Sequence, residues 1–156
     1  MLCNLETGFT TGEIQMIPID SITAGIIGDA IEVHRELGPG LLESTYEACL
    51  VALLSERGWT VGRQVTRPVV FRGKQLDLSY RLDLLVEDRV IVEVKTIKTL
   101  EPVHFAQMMT YLKLSGCEVG LLINFNVPRL VDGLRRVIRS TSASSAPPPS
   151  SAIESR

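Results

Sequence analysis

Cysteine is scarce in this chain of 156 residues: Cys3, Cys49 and Cys117 are odd in number and widely scattered, with no CxxC spacing. That argues against a thiolate zinc site and a secreted disulfide scaffold, and a reducing cytoplasm fits best. An excess of charge of one sign is also lacking. Sixteen Lys and Arg face eighteen Asp and Glu, a formal net charge of −2. Gripping nucleic acid by bulk positive charge is therefore excluded, and any such grip must be a local patch. No stretch approaches the roughly 18 apolar residues of a spanning helix, so no membrane partner is expected. Glu6, Glu13, Asp20 and Asp29, without a basic segment ahead of an apolar run, argue against a signal peptide. Walker-type loops, dinucleotide GxGxxG motifs, Ser-His-Asp arrangements and solenoid-period repeats are all missing.

What remains is a composition of 45% hydrophobic and 22% charged residues, that of one ordinary globular domain. A chain of this length buries roughly two thirds of its unfolded surface and needs no disulfide or metal merely to fold. Residues 1–18 lack clean periodicity and read as a flexible leader or an over-extended start, with Met16 as the alternative first residue. From Ser140 the chain reads STSASSAPPPSSAIESR, too poor in large apolar residues to offset the entropy of ordering. The domain is expected over 19–139, with a disordered tail over 140–156.

Ile22, Ile26, Ala30, Val33 and Leu37 recur at helical spacing behind a cap at Asp20 or Ser21, and Gly38-Pro39-Gly40 ends the pattern. A second helix is expected from about Leu41 to Arg57, with Leu42, Tyr46, Leu50 and Leu53 on its inner side. Strands are expected at Trp59 to Phe71, Gln75 to Val86 and Val90 to Thr96, then a helix near His104 to Leu114 and a strand at Val119 to Phe125. Gly133 to Arg139 is ambiguous between edge strand and short helix. The order is helices, three strands, helix, strand: an α/β fold of α+β type with a mixed sheet.

A three-residue loop at Glu87, Asp88 and Arg89 makes paired residues of the flanking strands sum to 176. Leu82, Leu84 and Val86 then oppose Val94, Val92 and Val90 on one aliphatic face. On the other face Asp83 opposes Glu93, with Lys95 two residues further along. Like charges so opposed are destabilising unless something positive lies between them. A divalent cation removes the repulsion, and hard oxygen ligands favour Mg²⁺ or Mn²⁺, which use few carboxylates plus waters and phosphates. The bland alternative is a solvated face with Arg81–Glu93 and Asp83–Lys95 ion pairs. Leu85 and Ile91 share this face and suggest that it is partly covered, where unneutralised acids are costly.

Asp83, then Glu93-Val94-Lys95, resembles the D…ExK signature of the PD-(D/E)XK nuclease superfamily, whose core order of helix, three strands, helix, strand is similar to the one just read. Gly40-Leu41-Leu42-Glu43-Ser44-Thr45-Tyr46 resembles the signature of the GxxExxY protein family within it, and Val33 to Pro39 and Ile123-Asn124-Phe125 look like it too. The resemblance spans about Ile22 to Arg139. With Gly40 as N-cap, Glu43 is the N3 residue, where an acid favours the positive helix end. The resemblance instead implies that Glu43 assists the metal site or its water. It further implies that Asp83, Glu93 and the carbonyl of Val94 hold Mg²⁺ or Mn²⁺ and that Lys95 is catalytic. Tyr46 is an accessory residue of the same motif. Gln107 and Tyr111, four apart on one helix face, resemble the QxxxY element of RecB-like members and serve the ligands or the nucleic-acid backbone.

His34 and His104 read as structural. Arg63, Arg67, Arg72, Lys74, Lys95 and Lys98 are the local cations available to phosphate. The activity implied is metal-dependent hydrolysis of phosphodiester bonds in DNA or RNA. The competing reading is a non-catalytic nucleic-acid- or protein-binding module on the same fold, a homodimer being one form it takes.

Overall fold

The computed structural model describes residues 16–140. The expected disordered tail, apart from Ser140, and all but the last residues of the expected leader lie outside the described residues. The elements are α1 (Ile19–Leu37), α2 (Glu43–Glu56), β1 (Val61–Phe71), β2 (Lys74–Val86), β3 (Val90–Lys95), α3 (Pro102–Ser115), β4 (Val119–Asn124) and, after a 3₁₀ turn at Leu130–Gly133, β5 (Leu134–Ile138). The ambiguous segment Gly133 to Arg139 is thus the edge strand β5, with the 3₁₀ turn just before it. The five strands lie in the order β1-β2-β3-β4-β5, with β3 and β4 parallel and the other neighbours antiparallel. α3 makes the crossover that a parallel pair requires.

Three layers follow from where the apolar residues sit. Ile22, Ile26, Tyr46, Leu50 and Leu54 of α1 and α2 pack on Leu84, Val86, Val92, Val94, Leu121 and Ile123 on one face of the sheet. On the other, Met108 and Leu112 of α3 pack on Leu85, Ile91 and Leu122. β3 and β4 are buried from both sides, and so read as unbroken apolar runs. α3 approaches β4 closely because position 120 is glycine; a Cβ there would collide with Met108 Sδ. Asp29 of α1 is buried and takes both Nε (2.8 Å) and Nη2 (2.6 Å) of Arg57, tying the first helix to the end of the second.

The helix starts differ from expectation. α1 is preceded by Pro18 rather than capped at Asp20 or Ser21, and Asp20 pairs instead with Arg136 at 2.7 Å. α2 starts at Glu43 with Leu42 at the N-cap, so Glu43 is the first helical residue and not the N3 acid of a capping box. Tyr46 explains the delay: its hydroxyl donates to the Gly38 carbonyl (2.5 Å) and accepts from the Leu41 amide (3.2 Å), holding the 38–42 segment out of the helix. Leu42, expected inside, is 75% exposed. The Tyr46 ring is fully buried and stacks on Phe125 with centroids 4.2 Å apart. Tyr46→Phe keeps the stack and removes both hydrogen bonds. We expect a loss of about 0.5–1.5 kcal/mol in urea denaturation, the usual net worth of a hydrogen bond, since Gly38 and Leu41 can still reach water.

The largest departure lies in β1 and β2. The observed β2–β3 pairs, Leu84 with Val92, Leu85 with Ile91 and Val86 with Val90, have the expected register, but the ladder stops there. Leu82 does not oppose Val94; it packs with the α3-side cluster while Val94 packs on the α1/α2 side. The change of face coincides with Gln64, a strand residue with φ of 52°. Pairs Arg63–Leu84 and Val65–Leu82 flank it, but Gln64 and Asp83 themselves are unpaired. A left-handed residue inside a strand re-aims the strand like a bulge, and the apolar side chains beyond it change faces.

Candidate active site

At Asp83 the β2 backbone has left β3, and the amides freed by the split are taken up by carboxylates. The Asp83 N–H donates to Glu93 Oε1 at 3.3 Å, and the Val94 N–H donates to Asp83 Oδ2 at 3.0 Å. The two acids are therefore neighbours as expected, through interlocked backbone and side-chain contacts rather than as a ladder pair. Lys95 Nζ lies 4.0 Å from Glu93 Oε2, with 18% of its side chain exposed against 5% for Glu93. Among the described residues neither the Arg81–Glu93 nor the Asp83–Lys95 ion pair of the solvated-face reading forms.

The remaining candidates divide. Glu43 Oε1 accepts the Thr96 N–H at 3.2 Å, so the helix acid touches the chain just beyond Lys95. Tyr111 stacks on Tyr80 (5.3 Å between centroids), and Gln107 Nε2 donates to its hydroxyl at 3.0 Å. Burial and the charges of Glu93 and Asp83 raise the Tyr111 pKa above its ordinary value, which places this hydroxyl within electrostatic reach of the two acids. Val94 contributes its amide to Asp83 while its side chain is in the core. Tyr46 does not face the site; it shapes the segment from which Glu43 emerges. His34 bonds the Val127 carbonyl through Nε2 at 2.8 Å, and His104 Nδ1 accepts the Glu101 N–H at 2.8 Å, so both are engaged structurally.

Two residues at the site, Glu47 and Gln64, escaped the sequence reading, and a third, Asn124, entered it only through the family resemblance. Glu47, buried on α2, accepts Arg63 Nε at 3.1 Å and Gln64 Nε2 at 2.8 Å. Gln64 Nε2 also reaches Asp83 Oδ1 at 3.4 Å. Asn124, paired with Lys95 across the parallel strands, accepts the Ile97 amide at 3.1 Å and donates to the Ile97 carbonyl at 2.8 Å, fixing the loop that leaves the site. Glu47 carried a signal: four residues after Glu43, it sits on the same helix face. Of the expected cation patch, Arg63 is committed to Glu47 and the Ser44 carbonyl, and Arg72 lies over the Phe71 ring at the far hairpin turn.

Burial, and then the Asp83 charge, push the Glu93 carboxyl up to about 8, with the Asp83 amide and Lys95 pulling the other way. The group's ordinary value is 4.5. A pKa raised on folding contributes stability that is complete below the unfolded value and is lost as pH rises through the folded one. Metal-free protein should therefore lose melting temperature between about pH 4.5 and about 8, and Glu93→Gln should flatten that slope. Melts in chelator at stepped pH measure it. An undiminished slope in Glu93→Gln would assign the effect to other groups.

The donor set suits a hard divalent cation. It offers two adjacent carboxylates with Lys95 as the nearby counter-charge, and ionising the second acid needs a positive partner. Among the described residues no group of three or more His, Cys, Asp or Glu side chains converges to enclose a metal. An ion here would thus complete its shell with backbone oxygen, water or phosphate, the habit of Mg²⁺.

Residues 20–137 match the family model described as the PD-(D/E)XK nuclease superfamily. No curated relative matches the chain. Among solved structures, "Crystal structure of SSO0001" is similar at 20% identity with a TM-score of 0.46, over 61% of this chain. The alignment spans about half, 48%, of that structure's chain.

Proposed function

The chain belongs to the PD-(D/E)XK nuclease superfamily, and from that premise we propose that it is a metal-dependent phosphodiesterase acting on nucleic acid, of the kind that its Gly40–Tyr46 segment resembles, the GxxExxY proteins. The observation that carries this reading is the contact of Asp83 with the buried Glu93 beside Lys95. Such an arrangement is costly in a sheet unless a cation uses it.

Asp83, Glu93 and the Val94 carbonyl would hold Mg²⁺ or Mn²⁺. Bound there, the ion supplies the Lewis acidity that polarises a phosphodiester and acidifies water. Lys95 directs its ammonium at the phosphate, where it orients the attacking water and stabilises charge gathering on the non-bridging oxygens. Glu43 holds the Thr96 amide, keeping the end of β3 in place, and is the group available to position that water. Tyr111, oriented by Gln107, offers its hydroxyl to the substrate backbone.

Metal titration of the melting temperature tests the site. Mg²⁺ or Mn²⁺ should raise it in the wild type, more strongly toward alkaline pH because binding requires Glu93 to ionise. A melting temperature indifferent to both ions would favour the binding-module alternative.

A further inference from the structure

Among the described residues four non-glycine residues have positive φ. Arg72, Glu87 and Asp88 lie in hairpin turns, where that conformation is routine. Gln64 does not; at φ 52° it lies inside β1, where an L-residue with a long side chain meets steric opposition. Strain of this kind persists only where the surroundings over-determine it, and it gathers at functional positions.

The Gln64 side chain bonds two carboxylates. Glu47 Oε2 accepts from Gln64 Nε2 at 2.8 Å and from Arg63 Nε at 3.1 Å, while Arg63 Nη2 is anchored on the Ser44 carbonyl at 2.8 Å. An ionised carboxylate only accepts, so Glu47 decides which end of the Gln64 amide points into the site: the nitrogen. That nitrogen carries a second hydrogen, directed to Asp83 Oδ1 at 3.4 Å. The opposite oxygen, Oδ2, is held by the Val94 amide at 3.0 Å. Both oxygens of Asp83 are thus fixed by donors that are themselves fixed, and the ladder gap at residues 64 and 83 gives the carboxylate its place between strands.

We propose that Gln64 is a positioning residue for the reaction. Its amide, oriented by Glu47, sets the Asp83 carboxylate in the attitude needed to receive the cation, and the left-handed backbone is kept for that purpose. The inference rests on the reading of Asp83 as a metal ligand. Outer partners of metal ligands typically account for 10–100-fold in affinity.

Gln64→Gly removes both hydrogen bonds but suits the backbone. Gln64→Asn keeps an amide on a residue that tolerates positive φ, one methylene too short to bridge Glu47 and Asp83. Both variants should melt, without metal, close to the wild type. Both should need roughly 10–100-fold more Mn²⁺ to reach half of the thermal shift. Glu47→Gln, which frees the amide to turn over, should show the same defect with Gln64 intact. If the variants lose apo stability but keep the wild-type metal midpoint, Gln64 merely ties α2 to β1 and the proposal fails alone. A wild type without any metal response overturns both this inference and the reading beneath it.

Discussion

Lys95→Ala should lower phosphodiester cleavage by on the order of a hundredfold or more while leaving fold and metal response intact, since this is the usual cost of removing one preorganised electrostatic group. Its Nζ is 4.0 Å from Glu93 Oε2, and its side chain is only 18% exposed, so the ammonium stands beside the acids. Apart from the pull that its charge exerts on the Glu93 carboxyl, which shifts the pH at which metal binds, little else depends on it. The residue ends β3, and the backbone there is secured through the Phe125 amide, which donates to the Lys95 carbonyl at 2.8 Å. The side chain can therefore be cut back without unseating the strand. Lys95→Arg should recover little, because a planar guanidinium does not reproduce a compact ammonium. Single-turnover rates on a substrate the wild type cleaves, alongside Mn²⁺-dependent melts, give the comparison. Cleavage by Lys95→Ala at the wild-type rate would make Lys95 a bystander.

The second large effect concerns the acids. Asp83→Asn and Glu93→Gln should each leave the metal-free protein as stable as the wild type or more so, while abolishing stabilisation by Mg²⁺ or Mn²⁺. Glu93→Gln should gain most at alkaline pH, where the wild type must ionise a buried carboxyl beside Asp83. A gain of about 1 kcal/mol would appear as a rise of roughly 4 °C for a domain near this size. Asp83→Asn retains a carbonyl oxygen able to accept the Val94 amide, so its fold should hold. Destabilisation of both metal-free variants with the metal response intact would instead mark these acids as structural.

Much of the site's placement was legible in the sequence because the aliphatic residues of β3 and the end of β2 leave one register. With Leu84 and Val86 against Val92 and Val90, and a three-residue loop between, Asp83 has nowhere to fall but beside Glu93. The face change at Leu82 was not legible, because the residue it coincides with is a glutamine. Gln64 carries no signal for positive φ, as a glycine or asparagine would have done. Its side chain bonds Glu47 and Asp83, residues distant in sequence. The start of α2 was misplaced for a similar reason. Local rules favour a capping box from Gly40, but the Tyr46 hydroxyl reaches back to Gly38 and Leu41 and delays the helix to Glu43. Tertiary hydrogen bonds overrode local preference in both cases, and both lie where α2 meets the site.

The most direct test of the account is cleavage itself. Wild-type protein should be incubated with end-labelled single- and double-stranded DNA and RNA in Mg²⁺, in Mn²⁺ and in chelator, with Glu93→Gln in parallel. At least one substrate should be cut in the presence of a divalent ion, chelator should stop the reaction, and Glu93→Gln should not cut. Cleavage that survives chelator or Glu93→Gln, or no cleavage of any substrate with either ion, would contradict the account.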